Sequence, residues 1–197
     1  MNEKQSFFDK LYDFLSPISV KLSSNMYINA IKDGMLAYMP FTFIASIFLI
    51  IGFLPIQPYL DFMASVFGEG WVGNMVLVNS ASLGIGGVLV VLTVSRALAE
   101  SMKLDALQIQ LTSLVDYVLL VPFTANAAGS FIDVTFLGAQ SIFLSLIIAI
   151  LTCIVYRKID SLGLKIKMPA SVPPGVARPF ESIIPSLVCI VLFWVIR

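Results

Sequence analysis

The sequence predicts an all-α integral membrane protein with about five transmembrane helices, preceded by an amphipathic surface helix. Three observations indicate this fold class. Hydrophobic residues make up 58% of the 197 residues and charged residues only 12%. The mean hydropathy of +0.95 implies more apolar surface than one water-soluble domain of this size can bury. Long stretches without any ionisable side chain alternate with short stretches that carry the charges.

Residues 1–29 form a separate, amphipathic N-terminal segment. Apolar side chains recur there at helical spacing, with Lys4, Asp9, Lys10 and Asp13 between them: Phe7, Phe8, Leu11, Leu15 and Ile18. Pro17 is expected to end or bend this helix. The segment lacks the apolar core and cleavage site of a signal peptide. It is expected either to lie on the cytoplasmic membrane surface or to pack on the protein's own cytoplasmic face.

Apolar stretches predict the spans; all are uncharged except the third, which Asp116 interrupts. Each needs about 20 helical residues to cross a hydrocarbon core of about 30 Å. The candidates are residues 34–55, 71–95, 106–123, 135–156 and 182–196. At 1.5 Å per residue the last reaches only about 22 Å, so the chain is expected to be truncated within its fifth span.

Lysine and arginine indicate the orientation. They precede the first span and follow the second and fourth, whereas the connections 55–70 and 124–137 contain neither residue. Because cytoplasmic loops carry the positive excess, the N-terminus is predicted to be cytoplasmic. Residues 129–140 contain a glycine turn and short alternation, which predicts an extended hairpin at the outer face between spans three and four.

The second span carries small residues at helical spacing. Ser80 and Gly84, and likewise Ser82 and Gly86, lie four apart. Small residues at this spacing let two helix backbones approach closely in lipid. The pattern predicts a tight helix contact, either within one subunit or at a subunit interface. It is not a phosphate-binding loop, because no lysine follows at the required spacing.

Asp116 is the ionisable residue that lies well inside a predicted span. An intramembrane carboxyl is costly to bury and is by default a functional hypothesis. No lysine, arginine or histidine lies inside a span to pair with it. Asp116 is therefore either a polar candidate for a substrate or ion path, or a protonated group hydrogen-bonded to a neighbouring helix.

The sequence contains no constellation for catalysis. It has no histidine, and Cys153 and Cys189 both lie in apolar runs, where we expect small buried hydrophobes. Acid/base, nucleophilic and zinc sites are therefore not expected, nor is a cofactor. A formal net charge of +0 without blocks of like charge gives no indication of a nucleic-acid partner. The function classes that remain are transport, assembly and signalling in a lipid bilayer.

A proline-rich stretch, IKMPASVPPGVARPFESIIP, occupies residues 166–185 between two apolar runs. Pro169, Pro173 and Pro174 fix φ and bias the preceding residues toward extended backbone, which predicts a stiff crossover. Gly175 is expected to allow a turn, and Arg178, Pro179 and Glu181 to mark the entry to the fifth helix. The crossover is either a rigid linker or a hinge.

This stretch, together with AIKDGMLAYMP at residues 30–40 and LGAQ at 137–140, resembles the membrane-embedded IIC permease of the bacterial sugar phosphotransferase system. The resemblance is to the lactose, cellobiose and diacetylchitobiose branch. It covers essentially the whole chain but only about half of the family's length. It identifies residues 30–197 as the N-terminal scaffold and dimerisation half of a IIC domain.

The resemblance implies a multi-pass protein of the bacterial plasma membrane that forms homodimers through its first five spans. It implies that the second half carries the sugar site, and that separate IIB and IIA proteins supply the phosphoryl group for an imported disaccharide. No substrate-binding residue is then expected in this half. Two alternatives remain: a membrane interaction protein that associates with a full-length permease, and an unrelated small channel or carrier that uses Asp116.

Overall fold

A computed structural model of the chain describes residues 2–127, 129–169 and 171–197, with side chains from Lys10 onward except Ile18. The expected apolar positions Phe7, Phe8 and Ile18 therefore lie outside the described side chains. The helices are α1 (Asn2–Ser23), α2 (Met26–Phe53), α3 (Gln57–Phe67), α4 (Trp71–Ser80), α5 (Gly86–Ser101), α6 (Ala106–Leu120), α7 (Ile142–Ser161) and α8 (Pro174–Ile196). Strands β1 (Phe123–Asn126) and β2 (Gly129–Ile132) form an antiparallel hairpin between α6 and α7.

The predicted fold class is confirmed. Four helical stretches of the described chain are long and apolar enough to cross a membrane: Met26–Phe53, Trp71–Ser101, Ala139–Ser161 and Pro174–Ile196. The third predicted span contains α6, which has 15 residues and is about 22 Å long. One face of this helix is packed against its neighbours, since Ile109, Asp116 and Tyr117 are completely buried, whereas Leu107, Leu111 and Val115 are exposed on the other face. The hairpin lies at residues 123–132, slightly earlier than the sequence indicates.

The N-terminal helix is longer than expected. Pro17 does not end α1, which continues to Ser23. A new helix begins directly afterwards, because the Asn25 side chain accepts hydrogen bonds from the backbone N–H groups of Tyr27 and Ile28 at 2.9 and 3.3 Å and caps α2. Leu11 and Leu15 on α1 remain exposed. Their apolar face is therefore not covered by the described part of the chain.

Helix α5 is the centre of the bundle and contacts α2, α6 and α7. Its residues Val90, Val91, Val94 and Leu98 have no exposed surface. They belong to two apolar clusters, one around Val91 and Tyr117 and the other around Leu98 and Cys153. Together these clusters join α2 and α5–α8 into one core.

The contact between α2 and α5 depends on a glycine. A Cβ atom at Gly34 would lie 2.7 Å from Val94 Cα and 2.8 Å from Val94 N. These are backbone atoms of a buried helix, so a side-chain rotation cannot relieve the overlap. Gly34 therefore sets how closely the two helices approach.

The second span differs from the single helix expected. Helix α4 ends at Ser80 and α5 begins at Gly86, with a short 3₁₀ turn at Leu83–Ile85 between them. The break packs against the segment after the hairpin, since a Cβ atom at Gly138 would lie 3.0 Å from the Gly84 carbonyl oxygen. The span is therefore two helices joined at a packed kink.

We predict that Gly34→Ala lowers the free energy of unfolding by about 1 to 3 kcal/mol, because it overpacks the α2–α5 contact. Gly73→Ala is the matched control: it lies in α4, and its added Cβ would meet nothing within 4 Å. The control should be neutral or stabilise by up to about 1 kcal/mol through helix propensity. Thermal unfolding in detergent measures both variants. Equal stability of the two would contradict the proposed role of Gly34.

Candidate functional site: a polar seam along α6

Five basic side chains of the bundle define one end, named here the basic end: Arg96, Lys103, Arg157, Lys165 and Arg178. They belong to the end of α5 and the turn after it, the end of α7, the crossover and the start of α8. The β-hairpin lies at the opposite end, where α6 finishes and α7 begins. Arg197 lies at this other end, 5.1 Å from the centre of the Phe123 ring.

A row of polar side chains runs along α6 from the basic end into the apolar interior. Gln108, Thr112 and Asp116 are spaced four residues apart and therefore share one face of the helix. The Ser182 hydroxyl donates to Gln108 Oε1 at 3.2 Å. The hydroxyls of Thr112 and Ser186 are hydrogen-bonded at 2.8 Å. This polar seam joins α6 to α8 by side-chain hydrogen bonds.

Asp116 lies at the inner end of the seam and is completely buried. The Thr152 hydroxyl on α7 donates to Asp116 Oδ2 at 2.8 Å, whereas Asp116 Oδ1 has no hydrogen-bond partner among the described residues. No ion pair to Asp116 occurs within the described ranges. The carboxyl thus connects α6 to α7, without the compensating cation that a buried carboxylate requires.

Toward the hairpin, hydrogen bonds fasten α6 and α7 to the kink and the loop. The Tyr117 hydroxyl donates to the Phe136 carbonyl at 2.8 Å, and the Ser145 hydroxyl donates to the Gly87 carbonyl at 2.7 Å. The Asp133 carboxyl accepts the Thr135 N–H at 2.8 Å. Hydrogen bonds from the Thr135 side chain and backbone lower the pKa of Asp133 below its usual value.

The four small residues of the second span all lie at or beside the kink. Ser80 is exposed, Gly84 is half-buried, and Ser82 and Gly86 are buried. A Cβ atom at Gly86 would lie 2.6 Å from the hydroxyl of Tyr38 on α2. Because the kink interrupts the helix, the spacing of four does not place these residues on one continuous helical face.

The crossover is shorter than the sequence indicates, because α8 begins at Pro174. Pro174 occupies the first helical position, where its missing N–H costs little. Gly175 lies in the first helical turn, not in a separate turn, and Pro179 lies inside the helix. Pro169 closes a turn by accepting the Val172 N–H at 3.0 Å, and Pro173 accepts the Val176 N–H at 2.9 Å.

The remaining candidate groups are enclosed. Cys153 and Cys189 are free and buried; the Cys153 thiol donates to the Ser95 carbonyl at 3.6 Å. In the part of the chain that the structure describes, no group of three acidic, cysteine or histidine side chains could hold a metal ion. The arrangement positions helices through polar contacts inside an apolar bundle.

Sequence reasoning singled out Asp116 but missed the partners that surround it. The signal along α6 was available, since Gln108, Thr112 and Asp116 recur every four residues in an apolar segment. The sequence carried no signal for the pairing of Thr112 with Ser186 or of Asp116 with Thr152, because these pairs are 74 and 36 positions apart.

We predict that Thr152→Val lowers the free energy of unfolding by about 1 to 2 kcal/mol, because it leaves the buried Asp116 carboxyl without a hydrogen bond. Asp116→Asn keeps an acceptor oxygen for Thr152 and should have a smaller effect. Thr93→Val is the matched control, since the Thr93 hydroxyl donates only to the Val90 carbonyl of its own helix. Unfolding in detergent measures all three. A Thr152→Val cost no larger than that of the control would contradict the role of this bond.

The family model described as "Phosphotransferase system, EIIC" matches residues 32–197. The cellobiose-specific EIIC component of the phosphotransferase system from Geobacillus stearothermophilus is 37% identical over 97% of this chain and 45% of its own length. The oligo-beta-mannoside-specific EIIC component of Bacillus subtilis (strain 168) is 33% identical over 96% of this chain and 44% of its own.

A solved structure shows the same architecture. The transporter ChbC, the IIC component from the N,N'-diacetylchitobiose-specific phosphotransferase system, matches with a TM-score of 0.87 and 36% identity. The match covers 95% of this chain and 46% of that chain. The chain spans about half the length of the relatives it matches. These agreements in sequence and structure confirm the predicted resemblance, and the chain belongs to the EIIC family of the phosphotransferase system.

Proposed function

We propose that this chain is the N-terminal scaffold and dimerisation half of a sugar permease. The parent permease imports a disaccharide of the cellobiose, lactose or diacetylchitobiose class across the bacterial plasma membrane. The imported sugar receives its phosphoryl group from a IIA protein through a IIB protein. The observation that carries the proposal is the structural match to a diacetylchitobiose IIC component over 95% of this chain.

The chain matches only part of each relative, which supports different roles for the matched and unmatched parts. This chain corresponds to 45% of the cellobiose-specific relative, and its described interior is filled by side chains that contact one another. The side chains of the polar seam form hydrogen bonds among α6, α7 and α8. We therefore assign the sugar site to the part of the relatives that has no counterpart here, and the helix scaffold to this part.

Exposed apolar surface supports a role in assembly. Helix α2 has 28 residues and is about 42 Å long, which exceeds the hydrocarbon core. Its outer half carries exposed Phe43, Ile50 and Phe53. Lipid and a second copy of the chain are the surroundings that suit such a surface, and we propose that part of it forms the homodimer contact.

The distribution of charge supports the orientation that we propose. The basic end carries arginine and lysine from three helices and the crossover, whereas the sequences of the connection 55–70 and the hairpin contain none and the hairpin end has Arg197 beside Phe123. The positive-inside rule places the basic end in the cytoplasm. Because α2 starts at this end beside Leu98 and Ala99, the N-terminus is cytoplasmic in this proposal.

The crossover acts in this proposal as a stiff connection between α7 and α8. The Lys165 ammonium lies 3.4 Å from Asp160 on α7 and 3.8 Å from Glu181 on α8. Ser182 and Ser186 hold the same part of α8 to α6. A hinge motion at Pro169, Pro173, Pro174 and Gly175 would have to break these contacts.

An ion path through Asp116 has less support. The carboxyl has no exposed surface and already accepts a hydrogen bond from Thr152. The cavity at the basic end does not include it among its lining residues. Asp116 therefore serves the packing of α6 against α7 in this proposal.

We predict that the purified chain in detergent is a dimer by light scattering and shows no saturable binding of labelled cellobiose, lactose or diacetylchitobiose. The reason is that the assembly surface lies in this half and the sugar site outside it. The full-length cellobiose-specific EIIC component of Geobacillus stearothermophilus, measured in the same way, is the positive control. Saturable binding to this chain would show that the sugar site reaches into it, and a monomer would contradict the proposed dimer contact.

A further inference from the structure

A cavity of about 660 Å³ opens at the basic end, between the α5–α6 turn, the end of α7 and the start of α8. Its volume lies in the range of small-molecule sites, about 300 to 1,000 Å³. Charged side chains make up about half of the lining, and the rest is three neutral polar residues, Gln110, Tyr156 and Ser182, and three apolar ones, Leu104, Ala106 and Leu107. Tyr156 and Ser182 are buried, so they form part of a wall and not of an open surface.

The carboxylates of the cavity are engaged in structural contacts. Asp160 and Glu181 both pair with Lys165. Asp105 is the N-cap of α6 and accepts the Gln108 N–H at 3.2 Å. Each of these carboxylates is therefore already in contact with a cation of the same cavity or with a helix terminus.

Two of the cations are not engaged in this way. Arg96 pairs with Glu100 at 2.8 Å, and Lys165 pairs as described above. Among the described residues, Lys103 and Arg178 make no ion pair. Both line the cavity, one from the α5–α6 turn and the other from α8. The lining as a whole has four cations and three carboxylates and so a formal charge of +1, and Lys103 and Arg178 are the two cations that remain open to a ligand.

The backbone conformation of Lys103 also indicates a functional role for this residue. Its φ of 59° is the one positive value among the described non-glycine residues. The Lys103 N–H donates to the Glu100 carbonyl and the Leu104 N–H to the Ala99 carbonyl, both at 3.0 Å. This is the C-terminal cap for which glycine is preferred. A lysine in left-handed conformation is an unfavourable choice for the backbone alone, and such outliers collect at functional sites.

We propose that this cavity is a binding site for a phosphate group on a small hydroxylated carrier, held by Lys103 and Arg178. Arginine matches the oxygens of a phosphate through paired N–H groups, and lysine adds a point charge. The Tyr156 hydroxyl can donate to hydroxyl groups on the carrier, and Gln110 and Ser182, which already donate to the Leu92 carbonyl and to Gln108, can accept from them. Two sources carry this chemistry at a membrane: a soluble sugar phosphate and the glycerophosphate headgroup of an anionic lipid. The site does not depend on the sugar-transport proposal.

The test is equilibrium binding of glucose 6-phosphate to the chain in nanodiscs of neutral lipid, with glucose as the uncharged control. A second arm replaces the neutral lipid by phosphatidylglycerol and measures retention of that lipid through purification. Saturable binding in the first arm assigns the site to soluble sugar phosphates, and specific retention in the second assigns it to lipid headgroups. Either result supports the site, and its strength should fall as salt is added.

Substitutions locate the binding. Arg178→Gln and Lys103→Gly should each weaken it at least tenfold, whereas Arg157→Gln should leave it within about twofold. Arg157 is exposed at the same end but does not line the cavity. Lys103→Gly relieves the left-handed backbone, so its melting temperature should not fall, and a loss of binding is then not a loss of fold. Absence of binding in both arms would overturn the proposal, and so would equal weakening by Arg157→Gln.

Discussion

The close packing around α5 is the constraint on which the rest of the structure depends. Gly34 brings α2 against Val94, and glycines at the start of α5 admit the tyrosine hydroxyls of α2 and α6. From the other side, Gln110 and Ser145 donate hydrogen bonds to the carbonyls of Leu92 and Gly87. In hydrocarbon no water competes for these carbonyls, and lipid is as apolar as the side chains. Close contact and internal hydrogen bonds therefore hold the helices together, and both converge on one helix.

The polar seam extends this logic to α8. A hydroxyl or amide inside the hydrocarbon layer loses more without a partner than it gains from an ordinary hydrogen bond. Thr112 and Gln108 find such partners in Ser186 and Ser182, and Asp116 finds one in Thr152. The register of α6 against α7 and α8 is therefore determined by polar pairs in an otherwise apolar contact. Asp116, the residue that most invites a transport role, is engaged in this packing.

The two ends of the bundle are held together by different kinds of contact. At the hairpin end, short backbone contacts join the kink between α4 and α5 to the loop before α7. At the basic end, ion pairs join α7, the crossover and α8, and a charged cavity remains beside them. The two ends therefore differ in how they are held: backbone contacts dominate at the hairpin end and charged side chains at the basic end. Membership of the EIIC family gives this scaffold its context.

The sequence by itself determined the membrane class, the approximate spans, the hairpin between α6 and α7, and the family. These depend on local properties: runs of apolar residues, turn residues, and a proline-rich stretch. Helix ends were less accurate, since α1 continues through Pro17 and α8 already starts at Pro174. Only the tertiary structure decided that the second span is kinked, that Asp116 meets Thr152, and that Lys103 and Arg178 line one cavity. The physical reason is that these features join residues distant in sequence, whose meeting depends on how closely packed helices approach and rotate against one another.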